Sequence, residues 1–132
     1  MKKYAEVDSS TNPIIKVAFT GEQANDDNFP FYMQEVKDVY EQKQKVEIIF
    51  DASNAVLPAI KYQKMQGDWL KENEQLMKDY CLGTAYIIPN LIIRNVLKAI
   101  FTFQKQPVDY LVCKTMNEAE FWTKEQLDND LN

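Results

Sequence analysis

Short β-branched runs alternate along this chain with stretches whose apolar residues recur every three or four positions, and no other feature restricts the fold as strongly. The run Val46-Glu47-Ile48-Ile49-Phe50-Asp51 is nearly continuously apolar, the pattern of a strand covered on both faces. Ahead of it, Tyr4 to Asp8 alternate in polarity and Ser9 to Pro13 form a turn. Ile14 to Thr20 then resume with Ile15, Val17 and Phe19 on one face and Ile14, Lys16 and Ala18 on the other, ended by Gly21. The spacing of Phe29, Tyr32, Met33, Val36, Val39 and Tyr40 predicts a first helix. Asp26, Asp27 and Asn28 are cap types before it, and Pro30 suits its first turn.

A second helix is expected from Pro58 to about Asp79, with Met65, Trp69, Leu76 and Tyr80 on one side; Gly67 weakens it by roughly 1 kcal/mol relative to Ala. Gly83 to Ile88 reads as a strand stopped by Pro89, Asn90 caps a third helix, and Val108 to Cys113 reads as the last strand. Thr115-Met116-Asn117-Glu118 is a capping box opening a final helix whose Ala119, Trp122 and Leu127 face inward. The order is β-β-α-β-α-β-α-β-α. It predicts one α/β domain over residues 1–132, a central, mostly parallel five-stranded sheet with an N-terminal β-hairpin and right-handed crossovers.

Composition removes several function classes. The chain has no histidine, so mechanisms that need imidazole as base, shuttle or metal ligand are excluded. A formal charge of −5 with scattered lysines argues against nucleic acid as partner. Cys81 and Cys113 form no C-x-x-C pair and lack a histidine to complete a zinc set, so no metal site is expected. They read as small buried hydrophobes, and as free thiols they fit a reducing, cytoplasmic compartment. Pro89, Asn90, Arg94, Asn95 and Lys98 interrupt the most apolar stretch, so no transmembrane segment is expected. The glycines are far apart, leaving no phosphate-cradling loop and no indicated cofactor.

Four segments carry a resemblance: Phe50-Asp51-Ala52-Ser53, the long second helix, Thr84 to Asn90 leading into Arg94-Asn95-Val96-Leu97, and Thr115 to Trp122. Together they resemble the SpoIIAA-like branch of the STAS domains, small bacterial α/β domains related to anti-sigma-factor antagonists. The resemblance implies a non-enzymatic binding or signalling module. Antagonist members switch by phosphorylation of a Ser or Thr just after a central strand, within an Asp-Ser/Thr-Ser/Thr-Gly-like motif. This chain has Asp51-Ala52-Ser53-Asn54-Ala55 there; Ser53 matches in place, while the second hydroxyl and the glycine are missing. Other members of the branch are ligand- or lipid-associated, which implies a lipid-binding or carrier domain as an alternative.

The candidate site lies at the carboxyl ends of the parallel strands, where open α/β sheets place their crevices. Asp51, Ser53 and Asn54 stand at one junction, and Thr84, Asn90 and Arg94 bracket the next. Ser53 is the candidate phosphosite, the bland alternative being turn and cap hydrogen bonds. Arg94 either aims at an anion beside Asn90 or forms a surface pair. The third helix is apolar on more than one face, through Leu91, Ile92, Ile93, Val96, Leu97, Ile100 and Phe101. It suits core burial, a homodimer face, or a surface for a protein partner or small apolar ligand. Tyr62, Trp69 and Tyr86 are either core residues or the lining of a pocket.

Overall fold

The computed structural model describes residues 1–103 and 105–131. Strands β1 (Ala5–Asp8), β2 (Ile14–Phe19), β3 (Val46–Asp51), β4 (Cys81–Ile87) and β5 (Tyr110–Cys113) lie side by side in chain order. β1 and β2 pair antiparallel, and the three later pairings are parallel. This is the mostly parallel sheet with an N-terminal hairpin that the element order implies.

Sequential strand order has a mechanical consequence. Right-handed crossovers between successive parallel neighbours all pass over the same face. Those crossovers carry α1 (Asn28–Glu41), α2 (Ile60–Glu72), α3 (Glu74–Tyr80) and α4 (Leu91–Phe103). Val17, Ile48 and Phe50 of the sheet share a core with Tyr32, Val36 and Tyr40 of α1, Tyr62 and Trp69 of α2, and Met77 of α3. α5 (Met116–Leu131) follows the last strand and packs on the other face, where Ala119 joins Ile49, Ala85 and Ile87, with Trp122 against them. β3 is therefore covered on both sides, as its unbroken apolar run requires.

Several boundaries differ from expectation, β5 beginning at Tyr110 rather than Val108 among them, and three of the differences have a local reason. The single helix expected from Pro58 to Asp79 is two helices. At Asn73 both the backbone N–H and the side-chain amide donate to the Trp69 carbonyl at 2.9 Å, and its backbone leaves helical geometry (φ −106°, ψ 18°). The cap of α1 comes from Asn25, whose side-chain oxygen accepts from the Asp27 and Asn28 N–H groups at 2.9 and 2.7 Å. Asp26 instead accepts from Lys61 and Tyr62. β4 starts at Cys81 rather than Gly83, because an irregularity shifts the register from Val46 opposite Cys81 to Glu47 opposite Gly83. The capping box at α5 forms in part: the Thr115 hydroxyl accepts from the Glu118 N–H at 3.2 Å and donates to the Glu118 carboxylate at 3.1 Å.

The α5 face holds the least expected residue. Glu47 is 0% exposed, and neither carboxyl oxygen has a hydrogen-bond partner among the described residues. It lies between Ile14 and Gly83 in the register. A Cβ added at Gly83 would stand 2.8 Å from the Trp122 ring and 3.3 Å from the Asp109 carbonyl, so glycine there lets α5 approach the sheet. Burial pushes the Glu47 carboxyl up to about 8.

Two outcomes follow for stability. Gly83→Ala should lower it by about 1–3 kcal/mol through overpacking against Trp122, read as a shift of the urea midpoint. The folded chain keeps the Glu47 proton to about pH 8, whereas the unfolded chain releases it near its ordinary value of 4.5. Between those values the folded state binds more protons, so stability should fall as pH rises, by up to about 1.4 kcal/mol per pH unit. Glu47→Gln should flatten that slope in denaturation curves measured from pH 5 to 8; an unchanged slope would assign the dependence to other groups.

Candidate functional site

One aromatic ring from each strand or its flank forms a row across the sheet face beneath α1, α2 and α4. Tyr4 lies 5.4 Å from Phe19, Phe19 lies 6.4 Å from Phe50, and Phe50 stacks on Tyr86 at 5.1 Å with only 8° between planes. Tyr86 continues the row to Tyr110 at 6.5 Å. The parallel register explains the stack, since Val17 opposes Phe50 and Phe50 opposes Tyr86. The row of rings covers the strands beneath it.

α4 consequently rests on rings rather than on the strands. Phe101 meets Tyr86 at 5.3 Å and Tyr110 at 5.0 Å. Ile93, Val96, Leu97 and Ile100 are half-buried, while Leu91 and Ile92 are 63% and 67% exposed. The helix is thus a partly exposed cover, not the buried core element that is one expectation for it. Between it and the sheet lies a cavity of about 130 Å³. Its floor includes Phe19, Phe50 and Tyr86, α2 contributes Tyr62, Trp69 and Leu70, and Ala52 with Ala55 to Pro58 of the β3–α2 loop line one side. Tyr62, Trp69 and Tyr86 therefore line a pocket as well as belonging to the packed face.

Polar groups in this lining are few. The Tyr86 hydroxyl donates to Gln106 Oε1 at 3.3 Å. Burial raises the Tyr86 phenol well above its ordinary value, which keeps the donor protonated. Gln63 donates to the Pro58 carbonyl at 2.8 Å, tying α2 to the loop.

The six residues singled out from sequence lie outside the cavity lining and hold the segments that frame it. Ser53 is exposed; its N–H and hydroxyl donate to Asp51 Oδ1 at 3.0 and 2.6 Å. α2 begins at Ile60, so Ser53 stands in a turn and not at a helix N-terminus. Asn54 is exposed in the same turn, with its carbonyl 3.4 Å from where a Cβ at Gly21 would stand; Gly21 has φ +96°. Thr84 is fully buried on the ring-bearing face of β4. Asn90 caps α4 by accepting from the Ile92 and Ile93 N–H groups at 2.9 and 3.2 Å. Arg94 donates to the Ile88 carbonyl at 3.2 and 3.1 Å and to the Pro89 carbonyl at 3.3 Å. The register sets Asp51 opposite Ile87, so both junctions stand at one end of the sheet.

Two other features bear on chemistry. Both cysteines are free and buried; burial pushes the Cys81 thiol up to about 11 and also raises Cys113, opposite to what a reactive thiolate needs. No group of three or more Cys, Asp or Glu able to hold a metal ion occurs among the described residues. No described helix is long and apolar enough to cross a membrane.

Among solved structures, the chain is similar to an anti-sigma factor antagonist from Mycobacterium paratuberculosis, with a TM-score of 0.57 and 11% identity over 91% of this chain and 92% of that one. No family model and no curated protein matches the sequence. At that identity the likeness is one of fold, and it is the fold that the sequence resemblance implies.

The clamp made by Arg94 predicts a further outcome. Arg94→Lys keeps the charge but loses the fork that reaches two carbonyls at once. It should cost about 1–2 kcal/mol locally, seen as faster amide hydrogen exchange in α4 with β3 unaffected.

Proposed function

We propose that this one domain, residues 1–132, is a non-enzymatic binding module that takes a small apolar molecule between its aromatic sheet face and α4. The observation that carries the reading is the ring-lined cavity of about 130 Å³. Water in so apolar a pocket finds few hydrogen-bond partners, and an apolar ligand that displaces it gains affinity. The two free thiols favour work in a reducing compartment such as the cytoplasm.

The same observation ranks the alternatives. A long acyl chain would extend beyond the roughly 130 Å³ of ring-lined space, so a compact ligand matches it better than a lipid. A phosphorylation switch at Ser53 would set a phosphate beside the Asp51 carboxylate that now accepts its hydroxyl, with no helix terminus to offset the repulsion. Docking of a protein partner is the second reading. It is favoured by the antagonist fold and by exposed Leu91 and Ile92, beside the cap residue Asn90. Where the partner is a second copy, wild-type sedimentation should rise with concentration, and Leu91→Asp with Ile92→Asp should abolish the rise.

Toluene is the direct probe of the cavity. It should bind the wild type with shifts at the Tyr86 and Phe101 ring resonances. Leu97→Trp, which fills the space from α4, should weaken binding at least about tenfold without lowering the unfolding midpoint. Absence of toluene binding to the folded wild type would reject the cavity reading.

A further inference from the structure

We infer that the cavity selects a single-ring compound bearing one hydrogen-bond acceptor, recognised by the side-chain amide of Gln106. The inference rests on the small-molecule reading of the cavity and adds the chemistry of its ligand. Gln106 follows α4 and is only 8% exposed. Its Oε1 accepts the Tyr86 hydroxyl at 3.3 Å. Among the described residues its Nε2 has no partner, and of the buried side-chain atoms in that condition it is the one on a cavity-lining residue.

A buried donor without an acceptor carries its full desolvation penalty, and a ligand oxygen that meets it removes the penalty. With Oε1 at the Tyr86 hydroxyl, the group left for the ligand is the Nε2 donor. The ligand therefore supplies a carbonyl, ether or similar acceptor. Size sets the remainder. A cavity of about 150 Å³ in another protein accommodates benzene, and this one is about 130 Å³. One ring with a small substituent matches it. Phe50 and Tyr86, stacked on each other, both line the cavity, and the Tyr86 hydroxyl holds the amide beside them.

Acetophenone and α-methylstyrene test this as a matched pair, because they have nearly the same shape and differ in C=O against C=CH2. Water solvates the ketone better, so a cavity without a donor prefers the styrene. The wild type should reverse that order and bind acetophenone about fivefold to tenfold more tightly, with a shift of the Gln106 side-chain amide resonance that α-methylstyrene does not produce. Gln106→Leu should restore preference for the styrene while still binding it. Since Gln106→Leu strands the Tyr86 hydroxyl, the double variant Tyr86→Phe/Gln106→Leu, which removes both partners, should behave alike. Tyr86→Phe alone leaves the amide in place and should retain the ketone preference. Equal affinities in the wild type, or a preference unchanged in both variants lacking Gln106, would overturn the acceptor inference and leave the cavity reading standing. Binding of neither probe, nor of toluene, would overturn both.

Discussion

Covering β3 on both faces is the constraint from which the other features descend. A parallel central strand with an unbroken apolar run needs a layer above and a layer below. Strand order following chain order sends every right-handed crossover over one face. Four helices crowd there, and cover for the second face falls to α5. The two faces solve different packing problems. The α5 face is tight, with glycine at position 83 admitting the Trp122 ring and a carboxyl from Glu47 shut inside. The crossover face is broad and ringed with aromatics, and α4 spans it without filling it.

The cavity is a consequence of that asymmetry. Rings from neighbouring strands floor the space beneath α4, and protein interiors reach full density only where side chains interdigitate. α4 touches this floor through Phe101 and is held at its start by Asn90 and Arg94. Ile93, Val96, Leu97 and Ile100 lie between these anchors, half-buried over the space. The polar residues at the strand ends act through position: Asp51 and Ser53 shape the loop whose Ala52 and Ala55 to Pro58 line the cavity, and Arg94 ties the first turn of α4 to the residues that follow β4.

Much of the fold is legible in the residues. Val46 to Asp51 coincides with β3, and the faces of Ile14 to Phe19 fall as their alternation implies. Legibility fails where a side chain competes with the backbone. Asn73 divides a helix whose apolar spacing runs straight through it, and Asn25 caps α1 from outside the Asp26-to-Asn28 cluster that carries the usual signal. At the candidate site, the strand-end rule leads to the loop that borders the cavity. It selects residues that hold loops, because charged and hydroxylic side chains stand out in a sequence while aromatic ones read as core. Gln106 carries no signal at all in sequence; an isolated glutamine after a helix becomes notable only once its burial and its unpaired nitrogen are seen.

Periodicity, turn residues and the missing histidine act within a few positions or by simple presence, so the α/β class, the strand order along the chain and the exclusion of imidazole chemistry were settled by the amino acids alone. What α4 stands on, how far it stands off, and which polar atoms it shuts in were settled by tertiary structure. A void and an orphaned donor are properties of distances between elements far apart in the chain, and no local pattern encodes them.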